Sequence, residues 1–200
     1  TKPWWALSSL DGMNALARLL QSQGDSVRAQ ELIAEAYQLA LSTESSQWDD
    51  VFISALGARM ALQQHDLTTA ARWWRKSGIS EGVEGIPLER YPYHVWEYIQ
   101  LTQARFYLTL GQDTGDVQHL QQALELLHSL LPQTEHFQRV TSQIEILVLQ
   151  ALVEDALGEK DQVTGLLLRA LALGEPENYR RTFLDEGQSI AALLTSCRQA

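Results

Sequence analysis

Cysteine is nearly absent from this sequence of 200 residues, which contains only Cys197. A lone cysteine cannot form an internal disulfide, so the composition favours a reducing compartment. Long apolar runs are also missing, because the longest one (146–153) is far shorter than the ~20 residues of a membrane helix. The first residues lack the basic start and apolar core of a signal peptide. We therefore expect a cytoplasmic protein that has no membrane partner.

Lysine is scarce, with only Lys2, Lys76 and Lys160 scattered along the chain. The formal net charge is −10, from 25 acidic and 15 basic residues. Proteins that bind nucleic acid neutralise phosphates with clustered lysine and arginine, and Arg180-Arg181 is the only adjacent arginine pair in this sequence. We expect no direct contact between this chain and nucleic acid.

The sequence motifs of familiar catalytic and metal sites are missing as well. The five histidines form no HExxH or other metal-ligand spacing. No histidine lies near Cys197 in the sequence, and neither GxSxG nor the dinucleotide-binding GxGxxG occurs. We predict that the protein is not an enzyme and has no catalytic residues, no metal and no cofactor.

What the chain does contain is a series of segments rich in Ala, Leu, Gln and Glu, with apolar residues at helical spacing. Alternating β-branched runs, which would indicate strands, are missing. Breaks are expected at Gly24, His65-Asp66, Gly111 and Gly158, because a left-handed residue often ends a helix. The pattern predicts helices at 8–22, 26–42, 48–63, 67–76, 93–110, 117–131, 136–157 and 160–173.

A small residue recurs seven positions before each break, at Ala17, Ala58, Ala104 and Ala151, in steps of 41, 46 and 47 residues. Where two antiparallel helices cross closely, only a small side chain fits. The second helices carry matching residues at Ala29, Ala70, Ala123 and Val163. Such spacing is typical of stacked helix hairpins, as in tetratricopeptide (TPR) arrays, although the steps exceed that family's usual ~34 residues. The alternative is an ordinary helical bundle with chance alanines.

The predicted fold class is therefore all-α: a right-handed superhelix of TPR-like hairpins, or α-solenoid, with a C-terminal capping helix. We expect one domain over 1–200, with hairpins at 8–42, 48–76, 93–131 and 136–173 and a cap at 175–200. The irregular stretch 77–92, rich in glycine and proline, is either a functional loop or a structural clamp.

Residues 170–194 closely resemble the end of the sensor region in MalT-like activators, which are large ATP-binding regulators of the LuxR class. The earlier stretch 16–25 is similar to a repeat unit of the same family. Gly174, Asn178 and Ile190 depart from the family pattern, where Ala, Gly and Met are usual. The matching residues are Ala170, Leu171, Leu173, Glu175, Pro176, Tyr179, Arg181, Phe183, Asp185, Glu186, Gly187, Leu193 and Leu194.

The resemblance implies a repeat region that receives an inducing signal and passes it to an ATPase module and a helix-turn-helix domain. No GxxxxGK[ST] phosphate loop occurs in the sequence, so we expect the isolated repeat region. Its partners would be a small-molecule inducer or a regulatory protein, and the other domains of the regulator. The alternative is a free-standing TPR-like scaffold that binds a peptide or protein.

The segment around Asp185-Glu186-Gly187 is interpreted as a cap over the last repeat rather than a ligand site, since a solenoid must shield its terminal apolar face. In this interpretation Pro176 opens a helix, and Phe183 and Leu184 pack back on the last hairpin. Gly187 then breaks the chain before a final helix.

A candidate ligand site follows from the position after each crossing alanine, which should point into the groove of the array. Arg18, Arg59 and Arg105 occupy that position in three repeats, and we call them the arginine column. Arginine suits carboxylates and phosphates, so the groove would hold a polar small molecule or a peptide. The alternative is that each arginine pairs with carboxylates of neighbouring helices. The same face is expected to carry Asn14, Gln21, Phe52, Tyr98 and Leu101.

Overall fold

The computed structural model describes residues 4–43, 48–79, 91–176 and 178–199, and within these ranges the chain is helical and has no strand. The all-α prediction is thus confirmed. The irregular segment's residues 80–90 lie outside the described ranges. The helices are α1 (Trp4–Ser22), α2 (Ser26–Ser42), α3 (Asp49–Gln63), α4 (Leu67–Lys76), α5 (Tyr93–Thr114), α6 (Val117–His136), α7 (Val140–Leu157), α8 (Lys160–Gly174), α9 (Arg181–Leu184) and α10 (Gly187–Gln199).

Left-handed residues end several of these helices, as predicted for Gly24, His65 and Gly158, whose φ angles are 84°, 57° and 88°. The backbone N–H of the residue after each of them donates to the carbonyl five positions earlier in the chain. This hydrogen bond satisfies a carbonyl in the last turn of the helix. Asp25 and Asp66 then accept a backbone N–H of the following helix and cap its start. One left-handed residue followed by one acidic residue therefore forms a compact joint between antiparallel helices.

The prediction for Gly111 is wrong, because α5 continues through it to Thr114, and Gly115 (φ 72°) forms the turn. Gly111 is buried where α6 crosses, and a Cβ atom there would lie 2.7 Å from the side chain of Leu120. Its small size allows α5 and α6 to approach closely. From the sequence alone, a glycine at a helix contact cannot be distinguished from a glycine that ends a helix.

Helix α6 also runs longer than predicted, since it passes through Pro132 and ends at His136. A proline inside a helix leaves the carbonyl four residues back without its partner. That carbonyl belongs to His128, and both residues are exposed, so water can solvate the freed group. The following joint uses Gln138 (φ 52°), and α7 accordingly starts at Val140 rather than 136.

The hairpins have inner and outer helices. Helices α3 and α7 are buried on nearly all faces, whereas α2, α6 and α8 bury a single stripe at helical spacing. The predicted crossing residues all lie inside these contacts, with exposures of 0–3%. They are Ala17, Ala58, Ala104 and Ala151 on the first helices and Ala29, Ala70, Ala123 and Val163 on the second.

Contacts divide the chain into two compact units, Thr1–Thr102 and Gln103–Ala200. In the first unit α1 packs on α2, α2 on α3 and α3 on α4, where Gly57 lies flat against the Trp73 ring. In the second unit α7 packs between α6 and α8, and α9 and α10 contact α7. That residues 1–200 act as one domain stays a prediction.

Candidate functional site

Three of the predicted groove residues come together in the first unit, and we call Phe52, Arg59 and Tyr98 the Arg59 cluster. The Phe52 and Tyr98 ring centroids are 5.0 Å apart, with the planes tilted by 49°. The guanidinium carbon of Arg59 lies 5.0 Å from the Tyr98 ring centroid, which is a cation–π distance. All three side chains are half-buried. Helices α3 and α5 thus present two aromatic rings and one cation at a partly accessible surface.

Two further predicted groove residues lie in α1 of the same unit. Gln21 donates to the Met60 carbonyl oxygen at 3.2 Å and accepts from the Gln64 amide at 2.7 Å, so it ties α1 to the end of α3. Half-buried Asn14 carries a side-chain oxygen that is shielded from solvent and has no hydrogen-bond partner among the described residues. Gln21 thus has a structural contact, whereas the Asn14 oxygen has no such contact among the described residues.

The remaining members differ from the expectation of one partly exposed face. Arg18 is exposed on α1, but Leu101 is buried in the core with 3% exposure. Arg105 is also buried, with 4% exposure. The expectation that the arginine column stays partly exposed is therefore wrong at Arg105. Whether any of these residues binds a ligand stays a prediction.

Arg105 instead forms a buried ion cluster in the second unit, and we call it the Arg105 cluster. One terminal nitrogen, Nη1, donates to Glu145 Oε1 of α7 at 2.7 Å. The other, Nη2, donates to Glu186, which directly precedes α10. Burial alone lowers the pKa of Arg105, but the charges of Glu186 and then Glu145 raise it above its ordinary value. The guanidinium therefore stays charged and ties α5, α7 and the C-terminal segment together.

Only one of the sequence-based interpretations points to this cluster. The alternative interpretation of the arginine column, in which each arginine pairs with neighbouring carboxylates, describes Arg105 correctly. The sequence pattern indicates only a capping role for Glu186, because this residue lies 81 positions from Arg105. The pairing of an arginine next to a crossing alanine with an acidic residue in the cap is the signal that would have found it.

The C-terminal segment folds differently from its prediction in two details. Pro176 lies in a turn after α8, and the next helix starts only at Arg181. Leu184 is 71% exposed and does not pack on the hairpin. Phe183 does pack back as predicted, because Gly174 leaves room for its ring: a Cβ at Gly174 would lie 3.3 Å from it.

A cavity of about 500 Å³ lies between the end of α8 and this segment, and we call it the terminal cavity. Its lining includes Leu168, Leu171, Tyr179, Arg180 and Phe183. The turn that forms one wall is held by the Tyr179 amide, which donates to the Gly174 carbonyl at 3.0 Å. The site is thus mostly apolar, with a cationic group at hand.

Within the described residues, His, Cys, Asp and Glu form no group of three or more that could hold a metal ion. Over the same part of the chain, each helix is too short or too polar to cross a bilayer.

Antiparallel helix pairs that repeat a small crossing residue and a left-handed joint define this chain as a TPR-like helical repeat protein. The chain belongs to the family of the MalT-like TPR region, whose family model matches residues 1–200. Neither a curated protein nor a solved structure matches the chain.

Proposed function

We propose that this chain is the signal-sensing module of a LuxR-class, MalT-type regulator that uses ATP, and that it binds its signal at the Arg59 cluster. The observation that carries the proposal is the half-exposed stack of Arg59 on Tyr98 beside Phe52. Most other positions of α3 are buried. Aromatic rings and a planar cation at an accessible surface suit a polar small molecule or a peptide.

The wider proposal concerns the signal that this chain receives and the functions that belong to the regulator's other domains. Its signal is a small-molecule inducer or a regulatory protein, and its response passes to the other domains of the regulator. The chain itself acts in the cytoplasm, has no enzymatic activity and does not contact nucleic acid. Purified material is then expected to show neither ATP hydrolysis nor specific DNA binding, because the phosphate loop is absent from the sequence and the net charge is −10.

A thermal-shift screen of the whole chain against a metabolite panel tests the proposal, since a ligand that binds only the folded state raises the melting temperature. For any hit, Arg59→Ala is expected to reduce the shift strongly, because it removes the cation from the cluster. Arg28→Ala is the matched control, because Arg28 is an exposed arginine of the same unit whose side chain is 72% accessible.

A hit whose shift is the same in Arg59→Ala and in the unaltered chain would place the ligand elsewhere and overturn the role of the cluster. If the metabolites give no shift but a regulatory protein binds in an Arg59-dependent manner, the signal is that protein. The alternative of a free-standing scaffold is favoured if a peptide or protein binds to the chain without changing transcription by the regulator.

A further inference from the structure

We propose that the terminal cavity is a second binding site, independent of the Arg59 cluster, for a small amphipathic anion with a single carboxylate or sulfonate. The cavity volume of about 500 Å³ falls within the range of ~300–1,000 Å³ that is typical of small-molecule sites. The site lies in the segment that sequence patterns had assigned to a purely capping role.

The apolar part of the ligand is indicated by the leucines at the end of α8. Leu168 is 62% exposed and Leu171 is 40% exposed, although both belong to a helix whose other face is buried. Tyr179 and Phe183 line the same space from the other side. An apolar or aromatic body that enters there removes hydrophobic surface from water.

The anionic end is indicated by Arg180. Its Nε donates to the Asn178 side-chain oxygen at 2.7 Å, which orients the guanidinium. Among the described residues, its terminal nitrogens Nη1 and Nη2 have no hydrogen-bond partner, so both remain for a carboxylate or sulfonate.

The charges on and around the cavity favour a ligand with a single negative group. Among the described lining residues, Glu175 carries a negative charge opposite to that of Arg180. With a protein net charge of −10, a nucleotide or another multiply charged anion is repelled. A fatty acid of medium length or an aromatic monoacid fits the shape and the charge together.

One wall of the cavity, at Phe183, is connected to the interior of the second unit. Asn178 adopts a left-handed conformation (φ 56°). Phe183 packs against Gly174, which also lies next to Ile144 of α7. Three residues beyond Phe183, Glu186 is held by the buried Arg105. One side of the cavity is therefore anchored to the interior of the unit, which lowers the cost of ordering a bound ligand.

The test uses the intact chain and the fluorescent probe 1-anilinonaphthalene-8-sulfonate, which combines aromatic rings with one sulfonate. We expect saturable binding of one probe molecule, displacement by decanoate and no displacement by ATP. Arg180→Gln should weaken binding by about tenfold, which is the loss of one charge-assisted hydrogen bond. Glu175→Gln should strengthen it by roughly twofold, because an exposed repulsive charge is removed.

Two variants test the apolar walls. Ala172→Trp places a large ring at an exposed position of the lining and should abolish probe binding. Leu171→Ser should weaken it, whereas Leu41→Ser, at a leucine of the first unit with 51% exposure, is the matched control and should not. Circular dichroism checks that each variant is folded, and Leu171→Ser decides the question if Ala172→Trp is not.

The proposal is overturned if Leu171→Ser and Leu41→Ser have the same effect, or if Arg180→Gln leaves the affinity unchanged. Displacement by ATP as effective as by decanoate would also contradict it. Arg59→Ala is expected to leave probe binding intact, so this test and that of the Arg59 cluster can fail separately.

Discussion

Arg59 and Arg105 follow a crossing alanine in the same way, yet the two arginines have opposite environments. Arg59 lies half-buried over an aromatic ring, whereas Arg105 is buried between two carboxylates. The difference comes from the residues that neighbouring segments supply: Tyr98 for Arg59, and Glu145 and Glu186 for Arg105. One sequence position in a repeat can thus carry a surface contact in one unit and a structural ion cluster in the next.

The largest expected effect is that of Arg105→Ala, which leaves Glu145 and Glu186 buried without their cation. Removal of one partner from a buried ion pair typically costs about 3–5 kcal/mol in the free energy of unfolding. Arg59→Ala is the matched variant, and it should cost only about 0.5–1 kcal/mol because its cation–π contact is partly exposed. Urea denaturation followed by circular dichroism measures both.

A third variant sharpens this comparison. Arg105→Met combined with Glu145→Gln and Glu186→Gln removes the three charges of the Arg105 cluster and should recover part of the lost stability, since uncharged groups cost less to bury. If Arg59→Ala and Arg105→Ala lower the free energy of unfolding equally, the deeper burial of Arg105 does not make its ion pairs more important for stability.

The second expected effect concerns glycines inside helices. Gly57→Ala should destabilise the first unit by about 1–3 kcal/mol through overpacking, because a Cβ there would lie 2.6 Å from the rigid Trp73 ring. Gly12→Ala, in α1, meets nothing within 4 Å and should stabilise the protein by about 0.5–1 kcal/mol.

In the second unit the same comparison is made between the variants Gly111→Ala and Gly165→Ala. Gly111 faces the flexible Leu120 side chain, whereas a Cβ at Gly165 meets nothing within 4 Å. Thermal melting of all four variants should rank Gly57→Ala as the most harmful. A stabilising Gly57→Ala would contradict the close contact of α3 with Trp73.

The smallest expected effect compares two helix joints. At Asp66 the side-chain hydrogen bond with Thr69, and then its backbone N–H, lower the pKa of the carboxyl group. A lowered pKa means that the stabilisation is complete above the unfolded value near 3.8 and is lost as the pH falls below it. Because the group is exposed and screened by solvent, we expect roughly a few tenths of a kcal/mol.

Glu159 at the start of α8 makes no side-chain cap, so Glu159→Ala is the control variant. Asp66→Ala should reduce the fall in melting temperature at acidic pH, whereas Glu159→Ala should not. Melting temperatures between pH 6 and about pH 3 compare the two variants. The interpretation of Asp66 fails if its variant keeps the same pH dependence as the unaltered chain.

Much of the fold could be predicted because its signals are local. Helical periodicity, crossing alanines such as Ala17 and joints such as Gly24 or His65 depend on residues close in sequence. Gly111 was misread because a glycine at a helix contact and one at a helix end look alike. Leu101 and Arg105 were misplaced because burial depends on which helix packs against them, and that information lies far away in the chain.

The Arg105 cluster also bears on the order in which the second unit folds. Its hairpin contacts join residues close in sequence, whereas the pairing of Arg105 with Glu186 closes a loop of 81 positions. Contacts of such long range form late, after local helices have assembled. During synthesis Arg105 therefore lacks one of its two carboxylate partners until Glu186 has been added to the chain. A chain that ends before Glu186 is expected to be less stable, and therefore more readily digested by proteases, than the whole chain.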